Sequence, residues 1–318
     1  MENSSASPQT MVVTAVVVTY NSAGEIDNLL DSLPAAADGL DLRVLVVDNS
    51  STDDTVARVQ ARGDARVVPG GGNIGYAAGV NVGREHLDPD TDAIAILNPD
   101  LVMEAGSLRR LCEPLAADPS IGVTVPHIAN SDGTAFHSLR REATLLSQLG
   151  EAAFGAKWPN RPTVLGDTLR TPEHYSSERD VDWASGAALV VGRQCDTAVG
   201  DWREDFFLYS EETDFARRVR QAGFRIRYLP QARCVHIGGA SGSSPRQAAL
   251  MEINKLRDYE GHHSPLNSLL FRGILTAQHA VRSRKPASRA ALHYLLHRDA
   301  WGELPSGDPR PGREHREA

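Results

Sequence analysis

The chain has 318 residues, 41% of them hydrophobic and 23% charged, and a formal net charge of −8. That length fits one large domain, or one with an appendage. The composition is that of a folded globular protein, and the acidic balance excludes a dedicated nucleic-acid binder. The first ten residues, MENSSASPQT, have no basic or long apolar stretch and read as a flexible N-terminus rather than a signal peptide. No window reaches the roughly 18 unbroken apolar residues of a membrane span. The three cysteines, Cys112, Cys195 and Cys234, are far apart and odd in number. This spacing fits reduced buried thiols in a cytoplasmic protein.

In chain order, Met11 to Thr19 is a β-branched run and the first strand. It ends in Thr19-Tyr20-Asn21-Ser22, and Glu25 to Leu33 follows as an amphipathic helix. Arg43 to Val47 is a second strand ending in Asp48-Asn49, with a helix from about Thr55 to Ala61. Arg66 to Val68 is a short third strand, Gly70 to Gly75 a glycine loop, and Tyr76 to His86 a helix. Ala93 to Leu97 is the fourth strand, closed by Asn98-Pro99-Asp100. The alternation implies a parallel sheet with helices on both faces and right-handed crossovers.

The Asn98-Pro99-Asp100 tip has its own logic. A residue before proline is held extended. Residues two apart on an extended chain face one side, so Asn98 and Asp100 present an amide oxygen and a carboxylate together. Both are hard oxygen donors suited to Mg²⁺ or Mn²⁺. Taken alone, the triplet also fits a strand ending in a Pro-Asp turn. The other strand ends are polar as well, and ligands of open α/β sheets sit beyond the carboxyl ends of the strands.

Further on, Ser107 to Leu115 is a helix and Ile121 to Pro126 a strand. Residues 140–180 show no clear periodicity and several prolines, and read as a lid or acceptor insertion. Asp182 to Gly186 leads into the strand Ala187 to Val191. Ser210 is placed to cap a helix whose first turn holds Glu211, Glu212 and Asp214, where the helix dipole favours ionised carboxylates. That helix stops at Gly223. Phe224 to Tyr228 and Cys234 to Ile237 are two short strands, the second carrying His236 into the loop Gly238 to Ser244. Gln247 to Tyr259 and Pro265 to Val281 are helical. Leu266, Leu269, Leu270, Ile274 and Leu275, with Arg272, Arg282, Arg284, Lys285 and Arg289, make the latter a basic amphipathic segment. It suits a membrane surface, or packing or dimerisation. Residues 302–318 are polar and read as a disordered tail. The expected units are thus 11–244, a helical extension 245–301, and flexible ends.

Gly70, Gly72 and Gly75 also satisfy GxGxxG, the dinucleotide fingerprint, though after the third strand rather than the first. This leaves an NAD(P)-dependent oxidoreductase as one alternative.

Seven segments in order resemble the family 2 glycosyltransferases with the GT-A fold. They are VVVTYNS (16–22), VLVVDNSSTDDT (44–55), GNIGYAAGVNVG (72–83), ILNPD (96–100), DWASGAALVVGR (182–193), FFLYSEETDFARRVRQAGFRI (206–226) and CVHIGGASG (234–242). The NPD and NIGY variants resemble the bacterial rhamnosyltransferase-like members. The resemblance implies a Rossmann-like, mostly parallel sheet flanked by helices, and inverting transfer of a sugar from a nucleotide diphosphate donor. The donor would be dTDP-rhamnose or a UDP-hexose. The acceptor would be a lipid-linked saccharide of the cell envelope or a small natural product. By the same resemblance Thr19, Tyr20 and Asn21 line the nucleotide pocket and Asp48 holds the pyrimidine. Asn73, Gly75 and Asn81 belong to the nucleotide–sugar loop, with Asn98 beside them. Asp100 and His236 bind Mg²⁺ or Mn²⁺, Glu212 is the catalytic base with Glu211 its competitor, and Trp183, Gly186 and Asp214 border sugar and acceptor. Asn98 departs from the strict DxD pattern, which implies a weaker metal site. A cytoplasmic enzyme, peripheral on the inner face of the plasma membrane if the acceptor is lipid-linked, follows. A non-catalytic nucleotide-sugar-binding protein is the other alternative.

Overall fold

The computed structural model describes residues 10–158, 160–238 and 244–307. Expectations for residues 1–9, 239–243 and 308–318 lie outside the described residues. The strands are β1 (Val12–Thr19), β2 (Asp41–Asp48), β3 (Arg66–Pro69), β4 (Ala93–Leu97), β5 (Leu101–Met103), β6 (Ile121–Asn130), β7 (Leu139–Arg140), β8 (Arg179–Asp180), β9 (Trp183–Ala184), β10 (Ala188–Gly192) and β11 (Arg225–His236). The helices are α1 (Ile26–Ala37), α2 (Thr55–Arg62), α3 (Tyr76–Glu85), α4 (Ser107–Ala117), α5 (Leu145–Ala153), α6 (Arg193–Val199), α7 (Glu211–Gln221), α8 (Pro245–His262), α9 (Pro265–Val281) and α10 (Pro286–Leu296).

The main sheet runs β3-β2-β1-β4-β10-β6-β11-β5, with β8 also paired to β11. Its first half, β3 to β4, is parallel as the βα alternation implies. β10 then inserts antiparallel between β4 and β6, and β5 pairs antiparallel with β11, so the second half is mixed. β1 is buried almost throughout because β2 and β4 flank it and helices cover both faces. One face carries α1 and α4, and the other α3, α6 and α7. α3 lies very close to β1. A Cβ on Gly79 or Gly83 would come within 2.7 or 2.4 Å of the Val18 or Val16 side chain, so only glycine permits that approach.

Three expectations are corrected. The two short strands expected over 224–237 are one strand, β11, interrupted by a register shift between Leu229 and Arg233 where Pro230 cannot donate to the ladder. Residues 140–180 contain a regular helix, α5, opened by a capping box between Thr144 and Ser147. Residues 302–307, expected in the tail, are packed in place. Leu304 is buried, and Gly307 abuts the Glu204 carbonyl so closely that no side chain would fit.

α8, α9 and α10 form a third core around Leu250, Ile253, Leu256, Phe271, Leu275 and Leu295, with Phe207, Leu208 and Tyr209 of the main unit packed against it. Each such fully buried apolar side chain contributes about 1.5–3 kcal/mol. The C-terminal helices are therefore fused to the segment that leads into α7.

Candidate active site

The polar tips of β1, β2 and β4 meet along one edge of the sheet, as do the residues expected to bind the donor. Thr19 and Asp48 are register partners in β1 and β2, and the Thr19 hydroxyl donates to the Asp48 carboxylate at 2.9 Å. Asp48 also accepts from the Ser51 amide and hydroxyl, at 2.9 and 2.5 Å. A carboxylate has about four acceptor positions, so one remains for a ligand donor. Tyr20 is half exposed beside it. Asn21 lies in the left-handed region, at φ 53°, and its side chain accepts from Thr52, which shapes the loop after β2. Asn73 is exposed in the glycine loop.

Asp100 and His236 come together through the β5–β11 pairing. His236 faces Leu101 in register, and the Ile237 amide donates to the Asp100 carbonyl. The Asp100 Oδ1 and His236 Nε2 atoms are 3.1 Å apart, yet neither is aligned to hydrogen-bond with any described residue. Two buried ligand atoms left without partners, one oxygen and one imidazole nitrogen, fit a shared divalent cation. Asn98 lies two residues before Asp100, and its backbone amide donates to the Ala187 carbonyl.

The acidic pair sits at the start of α7. Ser210 does not cap that helix with its side chain as expected. It adopts φ 75°, and with Phe207 and Tyr209 it makes three left-handed non-glycine residues in four positions. Such residues cost on the order of 1–3 kcal/mol each and persist only where their surroundings hold them. The holder is Asn254 of α8, whose buried amide donates to the carbonyls of Phe206, Leu208 and Tyr209 at 2.7, 2.9 and 3.3 Å.

Burial pushes both Glu211 and Glu212 above the usual carboxylate range, against the effect expected from the helix dipole. Glu211 is raised well above it, by burial first and then by the charge of Glu212. The nearby Arg140 guanidinium draws Glu212 back down. The two carboxyls therefore titrate as a pair, above the ordinary carboxylate range. Glu212 lines a cleft of about 310 Å³, whereas Glu211 is buried and is not among its lining residues.

That cleft runs between the 140–170 segment, α7, α8 and the end of α9. Trp183 lines it, with Arg140 stacked over its ring and its indole N–H donating to the Arg141 carbonyl. Gly186 faces Glu212, for a Cβ there would lie 3.4 Å from the Glu212 Cβ. Tyr76, the first residue of α3 and given no site role by its motif, links the two halves. Its hydroxyl donates to the Gly186 carbonyl at 3.2 Å. Burial and the charges of Glu211, Glu212 and Asp100 raise its pKa far above normal. The metal pair and the acidic pair thus share one neighbourhood.

Two expected site residues have other employment. Asn81 is buried, its amide donating to the Trp202 carbonyl and Glu204 carboxylate and accepting from the Trp202 amide. It ties α3 to the 202–204 segment and has no face left for a nucleotide. Asp214 is buried and paired with Arg218 at 2.8 Å along α7, and although its carboxylate lies near Asp258 it is not itself among the residues that line the cleft. The glycine loop also serves the protein itself. Gly75 has φ 88°, and a Cβ there would sit 2.4 Å from the Phe207 carbonyl, which accepts the Tyr76 amide at 2.7 Å. Its glycine answers the strained 207–210 loop rather than a pyrophosphate, which removes the main support for the oxidoreductase alternative.

Comparison with known proteins bears on the family and the fold. The family model "Glycosyl transferase family 2" matches residues 14–173. An N-acetylglucosaminyl-diphospho-decaprenol L-rhamnosyltransferase of Mycobacterium tuberculosis is 32% identical over 240 residues, covering 71% of this chain and 76% of that protein. A low-salt glycan biosynthesis hexosyltransferase of Haloferax volcanii is 27% identical, over 74% of this chain and 71% of its own. Among solved structures, the mannosyltransferase PcManGT of Pyrobaculum calidifontis, in complex with GDP-Man and Mn²⁺, superposes with a TM-score of 0.55 at 20% identity, covering 92% of this chain and 76% of that one. TarS 1-349 of S. aureus in complex with UDP-GlcNAc gives 0.52 at 17% identity, over 91% and 88%. With a family model that matches half of its length and a relative this similar over most of it, the chain belongs to glycosyltransferase family 2.

Proposed function

We propose that the protein transfers a rhamnosyl residue, with inversion, from a nucleotide diphosphate donor to a hydroxyl of a polyprenyl-diphosphate-linked saccharide. The observation that carries this reading is the placement of Glu212. It is the one cleft-lining carboxylate among the described residues with no basic side chain within 4 Å, and it stands across Gly186 and Tyr76 from the Asp100–His236 pair. The M. tuberculosis relative supports the choice of sugar and acceptor class.

In this reading Thr19 and Asp48 hold the base of the nucleotide at the ends of β1 and β2. Asp100 and His236 would hold a divalent cation, Mg²⁺ or Mn²⁺, that neutralises charge on the departing diphosphate. The acceptor hydroxyl enters the cleft, and Glu212 accepts its proton as the oxygen attacks the anomeric carbon. The bond to the diphosphate oxygen breaks on the opposite face, so the configuration inverts without a sugar–enzyme bond. The raised pKa of Glu212 suits this role, since a base works best with a pKa near the working pH. It also predicts an acid limb of activity above the ordinary carboxylate range. Glu212→Gln is expected to reduce turnover by about 10²–10⁴-fold while the donor still raises the melting temperature. Retained turnover in that variant would remove Glu212 from the role.

We also propose peripheral contact with an anionic membrane through α9. No helix of the described residues is long and apolar enough to cross a membrane. Leu266, Leu269 and Leu270 nevertheless stand exposed at helical spacing on α9, in a segment whose later residues are basic.

A further inference from the structure

We infer that Arg170 is the anchor for a phosphate group of the acceptor. The inference rests on the reading of the cleft as the acceptor site. Its basis is a charge inventory of the cleft among the described residues. Glu142 is held by Arg217 at 3.1 Å and by Arg220, and Asp258 by Arg217 at 2.7 Å. Asp167 pairs with Lys255 at 2.8 Å and with Arg140 at 3.8 Å, and these cations hold its carboxyl well below the usual range despite burial. Glu151 is paired with Arg161, and Glu252 has His279 at 3.6 Å.

Two ionisable groups of the lining are left over. One is Glu212, the proposed base. The other is Arg170, which has no ion pair or hydrogen bond from its guanidinium among the described residues, and whose Nε is buried without a partner. Arg170 is not remote from the other cations. Its field and that of Arg140 both depress His137, and both act on Tyr175. Arg140, Arg170 and Lys255 all line the same cleft. Arg170 is only partly buried, and the terminal nitrogens of its guanidinium are not among the buried unpartnered atoms, so they stay open to an anion in the cleft. Its planar fork suits the bidentate recognition of phosphate.

The anion is not the donor diphosphate, which belongs at Asp100 and His236 across Gly186. It must arrive with the molecule that offers its hydroxyl to Glu212. A saccharide bearing a diphosphate at its reducing end meets both requirements, with its sugar toward Glu212 and Trp183 and its phosphate toward Arg170 and Arg140.

The test is calorimetric binding in EDTA, which silences metal-bridged binding at Asp100. Two probes are compared: an N-acetylglucosaminyl diphosphate carrying a short prenyl chain, and the phosphate-free octyl N-acetylglucosaminide. The diphosphate probe is expected to bind about tenfold or more tightly. Arg170→Gln should erase most of that preference, Arg170→Lys should keep part of it, and Asp100→Asn should leave it intact. Equal affinities in the unaltered protein, or a preference that survives Arg170→Gln, overturn the inference. If Arg170→Gln does not fold, competition on the unaltered protein decides: displacement of the diphosphate probe by inorganic pyrophosphate supports the anchor, and failure to displace it overturns it. Absence of turnover with every sugar nucleotide would instead strike the transferase reading, and it leaves these binding outcomes untouched.

Discussion

Asp100 and His236 are positioned by backbone pairing, not by each other, so either can be replaced without moving the strands. Asp100→Asn and His236→Ala are therefore expected to fold normally and to lose the extra stabilisation that a nucleotide sugar gives in the presence of Mn²⁺. At a ligand concentration of about 100 Kd that stabilisation is on the order of 2.7 kcal/mol. A thermal-shift series with and without the metal measures it, and an undiminished shift in both variants would dismiss the pair. Glu211 makes a different prediction. Its folded carboxyl holds a proton to a higher pH than in the unfolded chain, where release occurs near about 4.3. Stability contributed by that proton is present at low pH and is lost as pH rises through the raised value. Glu211→Gln should thus raise the melting temperature at pH 8 and change it little at pH 4, and a variant destabilised at pH 8 would contradict this account. As candidates, Asp100, His236 and Glu212 were legible in the sequence because each sits inside a contiguous motif. Tyr76 and Arg170 were not, since their significance lies in Gly186 and in an ion-pair inventory spanning residues 140 to 279. Asn81 and Asp214 show the same difficulty, as polar residues within motifs whose side chains find their partners in distant or neighbouring parts of the protein itself.

At the scale of elements, the strained 207–210 loop is the part of the site most dependent on its neighbours. Asn254→Ala removes three hydrogen bonds to its carbonyls. At about 1 kcal/mol per buried hydrogen bond, the expected loss is roughly 2–3 kcal/mol, read as a lower denaturation midpoint. Turnover should fall further than stability alone explains, because misplacing a base by about 1 Å can cost 10²-fold. Donor binding, set by β1, β2 and β4, should persist. A variant with native turnover would show that the loop holds itself. The parallel half of the sheet was legible because each β-branched run is followed by an amphipathic helix. The mixed half was not, since insertion of β10 between β4 and β6 depends on pairing across the chain. Pro230 made one long strand read as two, and α5, only nine residues long, draws its stability from packing on α9 more than from its own periodicity.

At the scale of the whole molecule, the exposed leucines of α9 give the membrane proposal its handle. Flotation with vesicles should show binding when they contain anionic lipid and loss of it at high salt. Leu269→Glu should weaken binding while leaving turnover on a soluble acceptor unchanged. Equal flotation with neutral vesicles, or none with anionic ones, would count against α9 as the contact. The helical extension itself was foreseen from composition and periodicity, but its relation to the site was not. Asn254 lies in α8, and residues of α8 and α9 wall the cleft proposed for the acceptor. A change in which acceptor is accepted can therefore arise in the last quarter of the sequence without touching any donor-binding motif. In the divergence of related enzymes, donor choice and acceptor choice would then be inherited separately. A hybrid joined at residue 244 would be expected to fail at the loop before α7 unless both parents shared the amide that secures it.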